Sequence, residues 1–96
     1  MGTFDTIIVT KGEHVVTIKF QWPYNPILPT TPVDLRTAQA IKQLAIRNWD
    51  LIPKDGQNLF AKYHKETGRV HLSWKLENMP VAVIQEDVEV LIQEIT

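Results

Sequence analysis

The sequence predicts an α+β domain in which a mixed sheet of four or five strands is covered on one face by a single main helix. Three observations carry this expectation: two β-branched stretches joined at a glycine, a long helical stripe of apolar residues after a run of prolines, and a second pair of alternating stretches centred on Thr67-Gly68. The 96 residues suit one domain, 1–96. A chain of that size buries roughly two thirds of its unfolded surface without needing a metal or cross-links.

The opening FDTIIVTKGEHVVTIKFQW reads as a hairpin turning at Lys11-Gly12. In its second run Val16, Ile18, Phe20 and Trp22 alternate with Val15, Thr17, Lys19 and Gln21, so one side is strongly apolar and needs a cover. The stretch WPYNPILPTTPVD follows, with prolines at 23, 26, 29 and 32. That spacing matches the three-residue turn of a polyproline II helix, the form in which proline-rich ligands dock into aromatic grooves. It lacks the flanking basic residue such grooves read, and Asp34 stands there instead. The reading preferred is a stiff strap from strand to helix, with Tyr24, Ile27 or Leu28 packed down beneath it.

The helix is expected from Pro32 to about Asp50. Thr31 can cap it, Pro32 suits the first helical position, and Asp34 places a carboxylate near the positive end of the dipole. Leu35, Ala38, Ile41, Ala45, Ile46, Trp49 and Ile52 fall on one stripe, and Pro53 ends the segment. In NLFAKYHKETGRVHLSWKLE a short loop at Thr67-Gly68 pairs Lys65 with Val70 and Tyr63 with Leu72. Leu59, Ala61, Tyr63, Val70, Leu72, Trp74 and Leu76 then face the core. Phe60, Lys62, His64, Glu66, Arg69, His71, Ser73 and Lys75 face away from it. Trp22, Trp49 and Trp74 are placed in or near the core. The tail PVAVIQEDVEVLIQEIT carries both periods: Val88, Leu91, Ile92 and Ile95 have helical spacing, whereas Val88, Val90 and Ile92 alternate. Its β-branched content favours a strand from about Asp87 to Gln93.

The order hairpin, helix, hairpin, short connection and final strand resembles the β-grasp fold of ubiquitin-like proteins, as ββαββ(β). The closing run LENMPVAVIQEDVEVLI is similar to that family's last segment, with Leu76 opening a turn, Gln85-Glu86-Asp87 as the polar stretch and Val88 to Ile92 as the strand. The TPVDL helix start and the GEHVVTIKF hairpin are most similar to the small ubiquitin-like proteins of bacterial secretion operons. The resemblance implies a final strand parallel to the first in mid-sheet, with Val88, Val90 and Ile92 inward and Leu91 outward. It also implies a surface gripped by partner proteins. Conjugated members of the family end in Gly-Gly, whereas this sequence ends Gln93-Glu94-Ile95-Thr96, so a covalent modifier is the alternative and not the first reading. A small inhibitor or adaptor from a mobile element is a further alternative.

Ten Lys and Arg against eleven Asp and Glu give a net charge of -1, without the basic excess that drives phosphate binding. No cysteine is present for disulfides, thiolate chemistry or a Cys-based zinc site. The longest apolar runs, at 7–9 and 81–84, are far short of a membrane span, and a soluble, cytoplasmic protein is expected. Ser73 and Thr67 lie near histidines without a third orienting group, and the four glycines form no phosphate loop. An enzyme is not expected, nor any cofactor.

His64 and His71 face each other across the second hairpin, with Glu66 on the same side, an arrangement that could hold zinc. The plainer reading, two solvated polar residues, is preferred, and no metal is assigned. Lys62, Arg69 and Lys75 form a small basic stripe beside them. Phe60 is turned outward by strand parity and would share the exposed face with Leu91, unless Ile8 and Val15 cover both or make a homodimer face. The expected function is non-covalent protein binding through that face, at Phe60, Leu91, Lys62, His64 and His71. The partner is a protein, not nucleic acid or a membrane, and the chain is a monomer or homodimer.

Overall fold

The computed structural model describes residues 4–21, 32–53, 59–75 and 81–95. Its elements run β1 (Phe4–Lys11), β2 (His14–Gln21), α1 (Pro32–Arg47), β3 (Leu59–His64), β4 (Arg69–Lys75), β5 (Val81–Asp87) and α2 (Val88–Ile95), with a 3₁₀ turn at Trp49–Leu51. The five strands form one mixed sheet in the order β1-β2-β3-β4-β5, with β2 and β3 parallel and every other pair antiparallel. Both helices lie against one face. The α+β class, the five-stranded sheet and the main helix on one side thus follow the expectation, while the proline strap at 22–31 and Leu76 lie outside the described residues.

Period-2 patterning sets the two sheet faces. Ile7 and Val9 of β1, Val16, Ile18 and Phe20 of β2, Leu59 and Ala61 of β3, and Val70, Leu72 and Trp74 of β4 are all buried under the helices. The first hairpin turns in two residues, Gly12-Glu13, where Gly12 sits at φ +62°, a value that suits a residue without Cβ. In the second, His64 pairs with Arg69 and Tyr63 with Val70, so the register is two residues away from the Lys65–Val70 pairing expected. A slip of two leaves every side chain on its expected face.

On α1 the buried stripe is Thr37, Ala40, Ile41, Leu44 and Ala45, continuing to Trp49 and Ile52. Its spacing of three and four is that of one helical face. Relative to the expected stripe it is rotated: Leu44 joins the core, while Leu35, 66% exposed, and Ile46 point to solvent. The helix ends before Asp50 because the backbone leaves the helical region at Asn48, φ −112° and ψ 28°, whose N–H still reaches the Leu44 carbonyl at 3.2 Å and whose Nδ2 donates to the same oxygen at 3.0 Å. Lys11 at the end of β1 reaches over the Trp49 ring, its Nζ 5.9 Å from the centroid.

The largest departure lies in the tail. The expected strand over 87–93 is a helix, and the last strand is the preceding segment, Val81–Asp87. Nor does that strand run parallel to β1 in mid-sheet, as the ubiquitin-like resemblance implies; it is an edge strand antiparallel to β4. Only residues 76–80 join β4 to β5. A connection that short can turn back on its neighbour but cannot carry a parallel crossover, which takes a dozen residues or more.

Asp87 then starts α2, its Oδ1 accepting the Glu89 backbone N–H at 2.8 Å, and the Val88 N–H donates to the Gly68 carbonyl at 2.9 Å. Removing the cap with Asp87→Ala is expected to cost about 1 kcal/mol in urea unfolding. A neutral result would mean that tertiary contacts alone fix the helix start.

The seam between α1 and α2 has an apolar floor and a charged rim. Val88 and Leu91 are buried, with Ile92 packed against the same core. At the rim Arg36 pairs with Glu89 at 2.6 Å, and Arg47 pairs with Glu86 at 3.2 Å and Glu94 at 3.1 Å. The hydrogen bond from Arg36 holds the Glu89 carboxyl below its ordinary pKa. Whatever stability this group adds is therefore present above the unfolded carboxyl value of about 4.3 and fades as the pH falls through the lower folded value. Such exposed pairs are screened by salt, so the seam rests mainly on its apolar floor.

Candidate functional site

The sheet face opposite the helices is open among the described residues. One row across it runs Thr6, Lys19, Phe60, Ser73 and Val83, set by the register of all five strands. The next runs Gln21, Lys62, His71 and Gln85, and the next His64, Arg69 and Asp87. Phe60 is thus central, and it is 38% exposed. The Lys19 Nζ stands 5.8 Å from its ring centroid, close enough for a cation–π attraction. Ile8, Val15 and Val83 add exposed aliphatic side chains on the same face, and Ile8 and Val15 do not cover Phe60, being exposed themselves.

Charge is segregated across the sheet. Among the described strand residues the open face carries Lys19, Lys62, Arg69 and Lys75 against Asp87, with Lys65 and Glu66 added by the turn at its end, although the chain as a whole is slightly negative. Glu86, Glu89 and Glu94 sit at the helical side, held by Arg36 and Arg47. A near-neutral total therefore hides a basic face and a helical side where acids are paired.

His64 and His71 are diagonal neighbours on this face. The His64 Nε2 and His71 Nδ1 atoms are 2.7 Å apart in a hydrogen bond, with the ring centroids 4.8 Å apart. Burial, then His64, then Lys62 hold the His71 pKa below the usual imidazole value. The unfolded chain binds that proton more readily. Stability is thus expected to fall as the pH drops from about 6.5 towards the lower folded value, which urea midpoints across that range would register. The His71→Gln chain should lose this component of the slope.

Among the described residues no three His, Cys, Asp or Glu side chains gather in a way that could hold a metal ion. Nor does a described helix have the length and apolarity to cross a membrane.

Of the residues expected to bind a partner, Phe60, Lys62, His64 and His71 are brought together. Leu91 is not. It is 0% exposed on α2, under the helical side of the sheet, so its place in the exposed patch is withdrawn. It turned inward because residues 88–95 are helical, which puts Leu91 on the stripe with Val88 and Ile92. Lys19 went unrecognised. Its parity on β2 was legible, but its position beside Phe60 depends on the parallel pairing of β2 with β3, which no local pattern displays.

No family model matches the chain, and no curated protein or solved structure matches it either.

Proposed function

We propose that this domain binds another protein non-covalently, through the open sheet face, and that the segment it receives is acidic with apolar residues interspersed. The observation that carries this reading is Phe60, half-exposed at the centre of the sheet with Lys19 beside its ring, Lys62 and Lys75 one row to either side and Arg69 two rows away. An exposed aromatic ringed by cations offers both a desolvated anchor and a complementary field. A second copy set face to face would oppose the same cations, which disfavours a symmetric dimer through this surface.

Among the described side chains of this face Phe60 is the one Phe, Tyr or Trp ring, and the other exposed apolar residues, Ile8, Val15 and Val83, are aliphatic. Base-binding platforms use successive aromatic rings, so side chains of a protein fit this surface better.

A rhodamine-labelled peptide of about ten glutamates, followed by fluorescence anisotropy at low salt, tests the electrostatic half of the reading. Lys19→Glu with Lys62→Glu is expected to weaken binding by about tenfold or more, because each reversal replaces attraction with repulsion. Unchanged affinity in the double variant would refute this surface. Stronger binding of an oligodeoxythymidine of equal length would point to nucleic acid instead.

A further inference from the structure

We propose that the His64–His71 pair is a proton-gated docking point for a carboxylate of the acidic partner, so that binding strengthens as the pH falls through the histidine range. This rests on the docking reading above and adds its regulation.

The geometry limits how many protons the pair can hold. Two neutral imidazoles carry two ring protons, and the 2.7 Å contact between His64 Nε2 and His71 Nδ1 requires one of them in the bridge. A third proton fits on the remaining outer nitrogen with the bridge intact. A fourth would force two N–H groups into the same gap and break it. The pair therefore passes from neutral to singly charged as one unit.

The surroundings give that charge its meaning. Lys62 of β3 lies opposite His71, and Arg69 of β4 lies opposite His64. From β5 the neighbours are Gln85, opposite His71, and Asp87, opposite Arg69; the turn contributes Lys65 and Glu66. Asp87 is the acid nearest in register, and its Oδ1 is engaged with the Glu89 N–H. The helices lie behind the sheet, and α2 comes nearest at its start, where the Val88 N–H donates to the carbonyl of Gly68 in the turn after His64 and Glu89 adds a carboxylate paired with Arg36.

A divalent metal would meet two imidazole donors flanked by two cations, an unfavourable field for it. An anion meets the reverse. Lys62 is among the causes that hold down the His71 pKa in the free protein. A docked carboxylate offsets that field, so the complex takes up a proton as it forms.

The decaglutamate probe serves here because glutamate carboxyls, with a pKa of about 4.3, stay ionised throughout. Its affinity is compared at about pH 8 and about pH 6, at constant ionic strength. A rise of one unit in the pair's pKa on binding makes the affinity higher at the lower pH, by at most about tenfold. In the double variant His64→Gln with His71→Gln, which removes both imidazoles, the ratio of the two affinities should fall to about one. Calorimetry in two buffers of different ionisation heat should show net proton uptake by the parent chain, absent from the double variant.

Binding that is the same at both pH values overturns the gate and leaves the docking surface standing. A pH response that survives in the double histidine variant also overturns it, by placing the proton elsewhere. No decaglutamate binding at either pH, or binding indifferent to the lysine reversals, overturns the docking reading and the gate together.

Discussion

Leu91→Asp is expected to leave the chain unfolded in buffer at room temperature, whereas Val90→Asp, one residue earlier, should melt cooperatively within about 1 kcal/mol of the parent. Leu91 is 0% exposed and Val90 is 41% exposed, because α2 turns them to different sides. Among the described residues no cation is buried in the core to pair with a carboxylate at position 91, and burying an unpaired charge exceeds the 5–15 kcal/mol that holds a domain together unless the group protonates or the helix leaves. The milder Leu91→Ala should cost about 2–5 kcal/mol through lost burial and the cavity left behind. A strand over 87–93 reverses the pair, with Val90 intolerant and Leu91 indifferent. Circular dichroism and urea midpoints for the two aspartate variants decide between helix and strand, and a tolerated Leu91→Asp would remove α2 from the structure.

Phe60→Asp and Ala61→Asp should separate in the same manner, but with a functional readout. Ala61 is fully buried beneath the helices, so a carboxylate there is expected to unfold the domain. Phe60 looks away from the core, and its replacement should cost only about 1–2 kcal/mol, the area and cross-strand contacts of a half-exposed ring. Its effect on binding should be far larger, a loss of about tenfold or more for decaglutamate, since a like charge is placed in the centre of the basic face. Should Phe60→Asp stay folded and bind the probe as the parent does, the centre of the site is not at Phe60. Should it unfold as readily as Ala61→Asp, the two sheet faces have been assigned in reverse.

Much of this architecture was legible along the chain because sheet faces obey a local rule. Alternation placed Phe60 outward and Ala61 inward, and it survived a register error of two residues in the second hairpin. The helix start at Pro32 was equally plain, since Pro and the polar residues flanking it are local signals. The tail failed for a reason visible in retrospect. Val88, Leu91, Ile92 and Ile95 have helical spacing, and Asp87 is a good cap, yet the valines and isoleucines of the tail favour a strand on local propensity. Propensity is a weak prior, and a seam between α1 and the sheet that buries Leu91 outweighs it. The candidate site divides the same way: Lys62, His64, His71 and Phe60 followed from parity, while Lys19 joined them only through the pairing of β2 with β3.

The sequence alone determined the class of the fold, the position of the main helix, the side of the sheet taken by the residues of β2, β3 and β4, and the small basic stripe of Lys62, Arg69 and Lys75. These depend on periods of two and 3.6 residues and on capping chemistry, all fixed within a few positions of the chain. Only the tertiary structure decided the strand order, the helical state of residues 88–95, the burial of Leu91, the neighbour of Phe60 and the bond between His64 and His71. Each of those depends on which distant segments meet, and the free energy of that meeting, chiefly apolar burial between α1, α2 and the sheet, is not written in any single stretch.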